Sequence, residues 1–221
     1  VQTCALPIFK QRKRGTDVGI NKGLRPVYGA VNVALSSKVH NGARPVLRQH
    51  LAQHPGLSVL NLFAYTGAFS VVALQRGASQ VINVDMSAGA ISVARSNHAT
   101  NGVMAGALFW VHDVFNSWAK IRRHSPYDLV IVDPPSFQKG SFVATKDYPR
   151  VLRRLSELIE PGGHTLLCLN APELGPIFLH EAMAQAAPDF VYRARVPNPL
   201  AFDDVSSERS LKVLVYQKES A

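Results

Sequence analysis

The sequence predicts an α/β domain in which a mostly parallel sheet is covered by helices on both faces. Three observations indicate this fold class. Short apolar runs recur along the chain, a segment of helical length follows most of them, and isolated polar residues lie directly after the runs. Strands that read as continuous apolar runs are buried on both faces, which is typical of parallel sheets built from βαβ units.

The first strand is predicted from the run LSVLNLFAY at 57–65, which has too few polar positions for a strand with one solvated face. Further strands are predicted, in chain order, at 80–85, 107–113, 127–133, 164–170 and 190–196. The last run, SLKVLVYQK at 210–218, alternates between apolar and polar residues. This alternation is typical of a hairpin strand at the edge of a sheet.

Helices are predicted between these strands, because the intervening segments end at residues that stop helices. Their predicted ranges are 67–77, 86–102, 114–124, 147–159 and 176–187. Gly77 ends the first helix, Asn101-Gly102 ends the second, and Pro161-Gly162-Gly163 follows the fourth. Ligands of such folds bind at the carboxyl ends of the strands, so we expect functional residues directly after each strand.

Residues 1–50 are interpreted as an N-terminal extension, and residues 51–221 as the α/β domain. Residues 1–8 show no periodicity and match the translation of a sequencing-library adapter, so we expect them to be foreign and the gene to continue upstream. The alternative is a genuine leader. Within the extension, 26–43 contains a predicted strand, and 44–54 is predicted to be a helix.

Composition narrows the class of protein. Lysine and arginine total 24 and aspartate and glutamate total 15, so the net charge is +9. This balance favours a nucleic-acid partner, although a solvated basic face would produce it too. A hydrophobic fraction of 47% excludes a disordered chain, and no apolar run reaches the ~18 residues that a membrane span needs. Two cysteines, Cys4 and Cys168, fit neither a zinc site nor a disulfide framework, so we expect a cytoplasmic protein without a metal.

The turn after the first strand, Asn61 to Gly67, contains one glycine. It lacks the GxGxxG pattern of dinucleotide-binding domains, and the chain lacks the GxxxxGK[ST] pattern of P-loops. One glycine still lets the backbone approach a ligand closely, but the same turn can simply join a strand to a helix.

Acidic residues end the next two strands, with Asp85 after the second and Asp113 after the third. A carboxylate at the position of Asp85 can accept hydrogen bonds from both ribose hydroxyls of a nucleoside. Asp113 can accept from an adenine amino group. Either residue can instead cap the following helix.

The most specific motif is Asp133-Pro134-Pro135-Ser136-Phe137, directly after the fourth strand. Two prolines continue neither a helix nor a sheet, so they fix a rigid loop that presents carbonyl groups and the Asp133 carboxylate. The Phe137 ring can stack on a flipped base. An ordinary turn at a strand end is the alternative.

These motifs, in this order on successive strand ends, resemble the class I S-adenosylmethionine-dependent methyltransferases. NLFAYTGAFS, NHATNG and DPPSFQKGSFVATKDYPRVLRRL are similar to the bacterial branch that methylates cytosine C5 or guanine in 23S ribosomal RNA. The resemblance covers residues 57–218 and implies a Rossmann-like, seven-stranded fold, S-adenosylmethionine as the cofactor and an RNA base as the acceptor. Full-length members carry an N-terminal RNA-binding domain, so we expect this chain to be truncated.

The resemblance also implies roles for individual residues. The implied cofactor-binding residues are Asn61, Phe63, Tyr65, Thr66, Gly67, Asp85, Met86, Ser87, Asn97, Asp113, Val114 and Asp133. The implied catalytic residues, which hold the target base, are Asp133, Pro134, Pro135, Ser136, Phe137 and Asn170. A comparable Pro-Pro loop in amino-nitrogen methyltransferases accepts hydrogen bonds from the target amine, so catalysis there is mainly proximity and orientation.

Cys168 bears on which atom is methylated. Cytosine C5 methylation requires a thiolate that adds to C6 of the base. The C5 members of this family place their cysteine just after the fifth strand, whereas Cys168 lies within it and Asn170 is nearer the site. This departure favours an inert cysteine and leaves C5 of cytosine and a guanine nitrogen as open alternatives.

Histidines and further cations complete the candidates. His98, His112 and His124 are candidate general bases, although we expect each to lie on the surface or to cap a helix. The cations after the Pro-Pro loop are Lys139, Lys146, Arg150, Arg153 and Arg154. They can contact RNA phosphates or form a solvated face. A small-molecule methyltransferase and an inactive RNA-binding fragment are the alternative functions.

Overall fold

The computed structural model describes residues 56–135, 142–196 and 211–220. The N-terminal extension, with its predicted strand and helix, lies outside this part of the chain. So do Ser136 and Phe137 of the predicted base-binding loop, and Lys139, one of the cations predicted after that loop.

One seven-stranded sheet forms the centre of the described residues, as predicted. Its strands are β1 (Ser58–Leu62), β2 (Gln80–Asp85), β3 (Ala107–Val111), β4 (Tyr127–Val132), β5 (Ile159–Leu169), β6 (Phe190–Arg195) and β7 (Lys212–Lys218). Their order across the sheet is β3-β2-β1-β4-β5-β7-β6. Strands β1 to β5 pair in parallel, whereas β7 runs antiparallel to both β5 and β6.

The helices are α1 (Ala68–Gln75), α2 (Ala88–Thr100), α3 (Trp118–Arg122), α4 (Ala144–Leu152), α5 (Leu155–Leu158) and α6 (Pro176–Ala186). A short 3-10 turn, Val114–Asn116, precedes α3. The larger core cluster lies on the sheet face covered by α3 to α6, and two smaller clusters lie beneath α1 and α2. Helices therefore cover both faces, which confirms the predicted architecture.

The prediction of an edge position for β7 is wrong, because β7 lies between β5 and β6. Its hairpin pairing with β6 is confirmed. Val213 and Val215 are buried on one face and Leu214 and Tyr216 on the other, so both faces of this strand are covered. The polar residue that suggested alternation, Lys212, is itself fully buried.

The predicted helix at 147–159 is divided in the structure. It begins earlier, at Ala144, because the Asp147 carboxylate accepts a hydrogen bond from the Val143 backbone N–H at 2.8 Å and stabilises the first turn. It ends at Leu152, and α5 follows as a separate turn. Strand β5 then begins at Ile159, before the Pro-Gly pair, with a register shift against β4.

The strand order indicates where a ligand crevice can form at the edge of the sheet. The chain passes from β1 outward through β2 to β3 and then returns to β4 on the other side of β1. Strand order therefore reverses between β1 and β4. In parallel sheets a ligand crevice forms at such a switch point, outside the carboxyl ends of the strands.

The burial of β1 predicts how two leucine substitutions change the free energy of unfolding. Leu60 is 0% exposed in β1, whereas Leu108 is 38% exposed on the edge strand β3. We expect Leu60→Ala to lower the free energy of unfolding by about 2–5 kcal/mol, because it leaves a cavity in the core. The matched variant Leu108→Ala is expected to cost less than about 1 kcal/mol. Over a third of this side chain already contacts water, so its removal leaves no closed cavity. Urea titration of both variants measures the difference, and equal losses would contradict the assigned sheet centre.

Candidate active site

Polar residues from five strands meet at the carboxyl edge of the sheet. Asn61 lies in β1, Asp85 ends β2, Asp113 follows β3, Asp133 follows β4 and Asn170 follows β5. The strand order places them across the sheet in the sequence 113, 85, 61, 133 and 170. The predicted convergence of strand-end residues on one edge is therefore confirmed, with β1 at its centre.

The turn after β1 has an unusual backbone conformation. Phe63 has a φ of 57°, Tyr65 a φ of 47° and Gly67 a φ of 72°, so three residues of one short turn are left-handed. Non-glycine residues in this region cost about 1–3 kcal/mol each and persist only where their surroundings hold them. Two backbone bonds do so, from Ala64 N–H to the Val84 carbonyl at 3.0 Å and from Gly67 N–H to the Ala64 carbonyl at 2.8 Å. We call residues 63–67 the left-handed loop.

Gly67 is required at the end of this loop. A Cβ added there would lie 2.9 Å from Cε1 of His98 and 3.1 Å from Cβ of Ala94, both in α2. Gly67 is also the N-cap of α1, and no side chain caps this helix. The N–H groups of its first turn therefore remain available to a ligand with negative charge.

Asp85 joins the left-handed loop to the start of α2. Its Oδ2 accepts from the Tyr65 backbone N–H at 2.8 Å, and its Oδ1 accepts from the Ser87 backbone N–H at 2.8 Å. The N-cap of α2 is Ser87, whose Oγ accepts from Ala90 N–H, so Asp85 is not the helix cap. Each carboxylate oxygen can accept more than one bond, which leaves Asp85 able to receive ligand hydroxyls.

Asp113 does cap the element that follows it. Its Oδ1 accepts from the Phe115 backbone N–H at 2.9 Å and its Oδ2 from the Asn116 side-chain amide at 2.7 Å. The structure thus bears out the capping interpretation of Asp113. The same two hydrogen bonds orient the half-exposed Asp113 carboxylate at the carboxyl end of β3.

The remaining implied cofactor residues differ in exposure. Met86 is 64% exposed beside Asp85, whereas Val114 is 3% exposed and belongs to the core. Asn97 is buried, and its side-chain amide donates to the Thr66 carbonyl at 3.0 Å, so it braces the left-handed loop from α2. Two buried oxygen atoms, Asn61 Oδ1 and Thr66 Oγ1, have no hydrogen-bond partner among the described residues. Buried acceptors of this kind indicate a place for a ligand donor.

Cys168 is buried in β5, beside the end of β4 where Asp133 lies. It is 1% exposed in β5, and its thiol donates a hydrogen bond to the Asp133 carboxylate. Burial first, and then the Asp133 charge, raise the pKa of the Cys168 thiol well above its ordinary value of 9.0. A thiol in this state is protonated at neutral pH and is not a nucleophile. This geometry favours the inert interpretation of Cys168.

Lys212 is a residue of this edge that the sequence analysis missed. It is fully buried opposite Leu169, and its Nζ donates to the Ala171 carbonyl at 2.7 Å. The bond holds the chain directly after Asn170, one of the residues implied to hold the target base. A lysine within the apolar run LKVLVY was the available signal, and the assignment of this run to an edge strand concealed it.

An aromatic cluster beside the left-handed loop was also missed. Phe142 lies 5.5 Å from Phe63 and 6.4 Å from Phe115, measured between ring centroids. The guanidinium carbon of Arg150 lies 4.1 Å above the Phe115 ring, and Arg150 also pairs with Asp147 at 2.8 Å. The cluster packs the end of β1, the turn after β3 and the start of α4 together.

The three candidate histidines have different environments. His98 is fully buried, so the expectation of a surface or capping residue is wrong there. His124 follows α3, is exposed and bonds to the Lys120 carbonyl at 3.0 Å, as expected of a capping residue. His112 is half-buried and contacts Lys120 Nζ at 2.9 Å.

The state of Cys168 can be tested by alkylation. In a Cys4→Ser background, we expect native protein at pH 8 to react with iodoacetamide at least about 100-fold more slowly than protein in denaturant, because the thiol is buried and protonated. Mass spectrometry measures the rates. Rapid labelling of the native protein would reveal an accessible thiolate and would restore cytosine C5 chemistry.

The raised thiol pKa also fixes a pH dependence. The unfolded thiol ionises near its ordinary pKa of 9.0, whereas the folded thiol keeps its proton. The contribution of this thiol to the free energy of unfolding is therefore fully present below pH 9 and is lost as the pH rises above that value. We expect the parent to lose unfolding free energy more steeply above pH 9 than Cys168→Ala, as urea titrations at several pH values would measure. Parallel slopes would contradict the raised pKa.

The chain is similar to known methyltransferases in both sequence and structure. The family model "S-adenosylmethionine-dependent methyltransferase" matches residues 27–217. Ribosomal RNA large subunit methyltransferase I of Aeromonas hydrophila is 34% identical over 148 residues, which cover 64% of this chain and 37% of the relative. Ribosomal RNA large subunit methyltransferase K/L of Shewanella pealeana is 38% identical over 120 residues, covering 52% of this chain and 17% of the relative. The chain thus spans little more than a third of the first relative and less of the second.

Solved structures agree with the fold. The methyltransferase candidate SMU.776, solved in complex with SAH, superimposes with a TM-score of 0.68 at 29% identity, covering 80% of this chain and 49% of that one. A SAM-dependent methyltransferase from Agrobacterium tumefaciens shares the fold, with a TM-score of 0.67 at 24% identity, over 86% of this chain and 63% of that one. No helix in the described residues has the length and apolar character needed to span a membrane. The match of the family model to most of the chain, together with this fold, establishes that the protein belongs to the S-adenosylmethionine-dependent methyltransferases.

Proposed function

We propose that this chain is the catalytic part of an enzyme that methylates a base of ribosomal RNA. The observation that carries the proposal is the Asp85 carboxylate, fixed at 2.8 Å by two backbone N–H groups beside the left-handed loop, at the switch point of the sheet. S-adenosylmethionine supplies an electrophilic methyl group on a sulfonium. The protein residues hold this cofactor and the acceptor in line, which is catalysis by proximity and orientation.

The residues of the cofactor half fit S-adenosylmethionine. Asp85 is placed to accept from the ribose hydroxyls, and Asp113 lies one strand further out, where an adenine amino group would reach it. Asn61 Oδ1 and Thr66 Oγ1 are buried acceptors without a partner among the described residues. The uncapped start of α1 suits the carboxylate of the methionine portion.

The acceptor half consists of Asp133, Pro134, Pro135 and Asn170 at the ends of β4 and β5. The prolines have no N–H, so this loop presents carbonyl acceptors, which suit an exocyclic amine. Burial, and then the charge and hydrogen bond of Asp133, raise the pKa of the Cys168 thiol, so the thiol stays protonated. We therefore propose an amino nitrogen of a base, rather than cytosine C5, as the methylated atom.

The RNA surface is proposed to extend from this edge over α4. Exposed Lys146, Arg150, Arg153 and Arg154 lie on or just after this helix. Arg154 pairs with Glu157 at 3.1 Å and lies 5.9 Å over the Trp118 ring. Cations beside aromatic rings suit single-stranded RNA, because phosphates and bases are contacted together. The net charge of +9 and the similarity to ribosomal RNA methyltransferases support this partner, which would place the enzyme in the cytoplasm.

Cofactor titration tests the site. We expect Asp85→Ala to raise the dissociation constant of S-adenosylmethionine at least about tenfold, because it removes a charged acceptor and releases Tyr65. Asp189→Ala is the matched control, since this carboxylate is bound by Ser156 at 2.6 Å and lies beyond the far end of α6. Calorimetry reads both variants. Equal affinity in Asp85→Ala and the control would contradict the proposed cofactor site.

Salt dependence tests the acceptor. We expect the logarithm of the RNA dissociation constant to rise with log salt by about 0.7 per phosphate contact, and Arg153→Ala to lower this slope by about that amount. Arg193→Ala, on the edge strand β6, is the matched control and should leave the slope unchanged. Salt-independent binding would contradict the basic surface and favour a small-molecule acceptor. RNA binding without cofactor binding would favour an RNA-binding fragment.

A further inference from the structure

A chain of buried hydrogen bonds runs beneath the left-handed loop. The Asn61 amide donates to Asn83 Oδ1 at 3.0 Å, and the Asn83 amide donates to Ser70 Oγ at 2.9 Å. Ser70 Oγ lies 2.7 Å from Nε2 of His98, whose Nδ1 lies 2.7 Å from the Ala94 carbonyl. The four side chains come from β1, β2, α1 and α2, and none is more than 1% exposed.

The donors and acceptors in this series of hydrogen bonds determine the protonation state of His98. A carbonyl only accepts, so Nδ1 of His98 carries the proton and donates to Ala94. Burial disfavours the charged imidazolium, so Nε2 carries no proton and accepts from the Ser70 hydroxyl, which in turn accepts from Asn83. Desolvation by burial lowers the His98 pKa, and the charged group nearest on its own helix is Arg95, a cation on the Phe109 ring.

This series of hydrogen bonds contacts the left-handed loop at one end and reaches the strand that leads into the loop at the other. His98 lies directly under Gly67, because Cε1 would be 2.9 Å from a Cβ at that position. At the other end, Asn61 lies in β1, two residues before the loop, and keeps Oδ1 buried without a partner among the described residues. The neighbouring residue in α2, Asn97, also holds the loop through the Thr66 carbonyl at 3.0 Å.

We propose that His98 is a positioning residue for cofactor binding, which sets the left-handed loop through Gly67 and, through Ser70 and Asn83, fixes the side chain of Asn61. This inference rests on the proposed cofactor site. His98 does not touch the ligand in this account. It supports the loop sterically from below and orients the buried amide that presents Oδ1. An apolar residue of similar size fills the space but supplies neither the bond to Ser70 nor the bond to Ala94.

Three single variants and one double variant test the role of the imidazole. We expect His98→Leu and Ser70→Ala each to raise the S-adenosylmethionine dissociation constant about tenfold, since each leaves buried partners unpaired and frees the loop. The double variant is expected to be little worse than either alone, because the two residues act through one chain. His98→Gln, whose amide oxygen can still accept from Ser70, should keep more affinity than His98→Leu.

Thr165→Val is the matched control for a loss of stability alone. Thr165 is fully buried in β5, and its hydroxyl donates to the Val130 carbonyl at 2.9 Å, so the variant also removes one buried hydrogen bond. It should lower the melting temperature and leave the dissociation constant unchanged. All titrations are made well below the melting temperature of each variant, so that only folded protein is compared.

The outcomes separate this inference from the proposed function. If His98→Leu and Ser70→Ala bind the cofactor as the parent does, while Asp85→Ala does not, the positioning role is wrong and the site stands. If Asp85→Ala also binds as the parent does, the proposed site itself is wrong. If Thr165→Val loses as much affinity as His98→Leu, the effect is general destabilisation and the positioning role fails.

Discussion

The left-handed loop after β1 is the constraint on which the rest of the site depends. Three of its five residues adopt positive φ, a conformation that the sequence favours only at Gly67. The loop keeps this shape because its neighbours bind it on every side: Val84 by its carbonyl, Asp85 by its carboxylate and Asn97 by its amide. These groups come from β2 and α2, so the pairing of the central strands and the packing of α2 determine the geometry at the carboxyl edge.

The bonds that shape the loop also fix Asp85, the carboxylate that we propose binds the cofactor. Its two oxygens already accept from Tyr65 and Ser87, and these bonds fix the plane of the carboxylate before any ligand arrives. Preorganisation of this kind lowers the entropy lost on binding. Asp133 is constrained in a related way by the thiol of Cys168, which joins the end of β4 to β5. Both carboxylates are therefore held in place as hydrogen-bond acceptors.

The sequence predicted those parts of the site that follow from local order along the chain. Polar residues directly after apolar runs located Asp85, Asp113 and Asp133, because parallel topology brings strand ends to one edge. His98 and Lys212 were misjudged for a different reason. Whether a polar residue within a helix or strand is buried depends on what packs against its face, and that is a tertiary property. The position of β7 between two strands, which buries Lys212 on both sides, has no local signal in an alternating run.

The buried polar chain also bears on how the fold specifies its register. Asn61 and Asn83 are direct partners in the parallel pairing of β1 with β2, and each would face an apolar neighbour if the strands slipped by one residue. Buried amides without partners cost about 1–3 kcal/mol each, so a slipped register is disfavoured well beyond the loss of packing. The same two amides lead to Ser70 on α1 and His98 on α2. The interactions that select the register of the central strands are thus the same ones that fix the loop above them. Correct pairing of β1 with β2 therefore also shapes the carboxyl edge of the sheet.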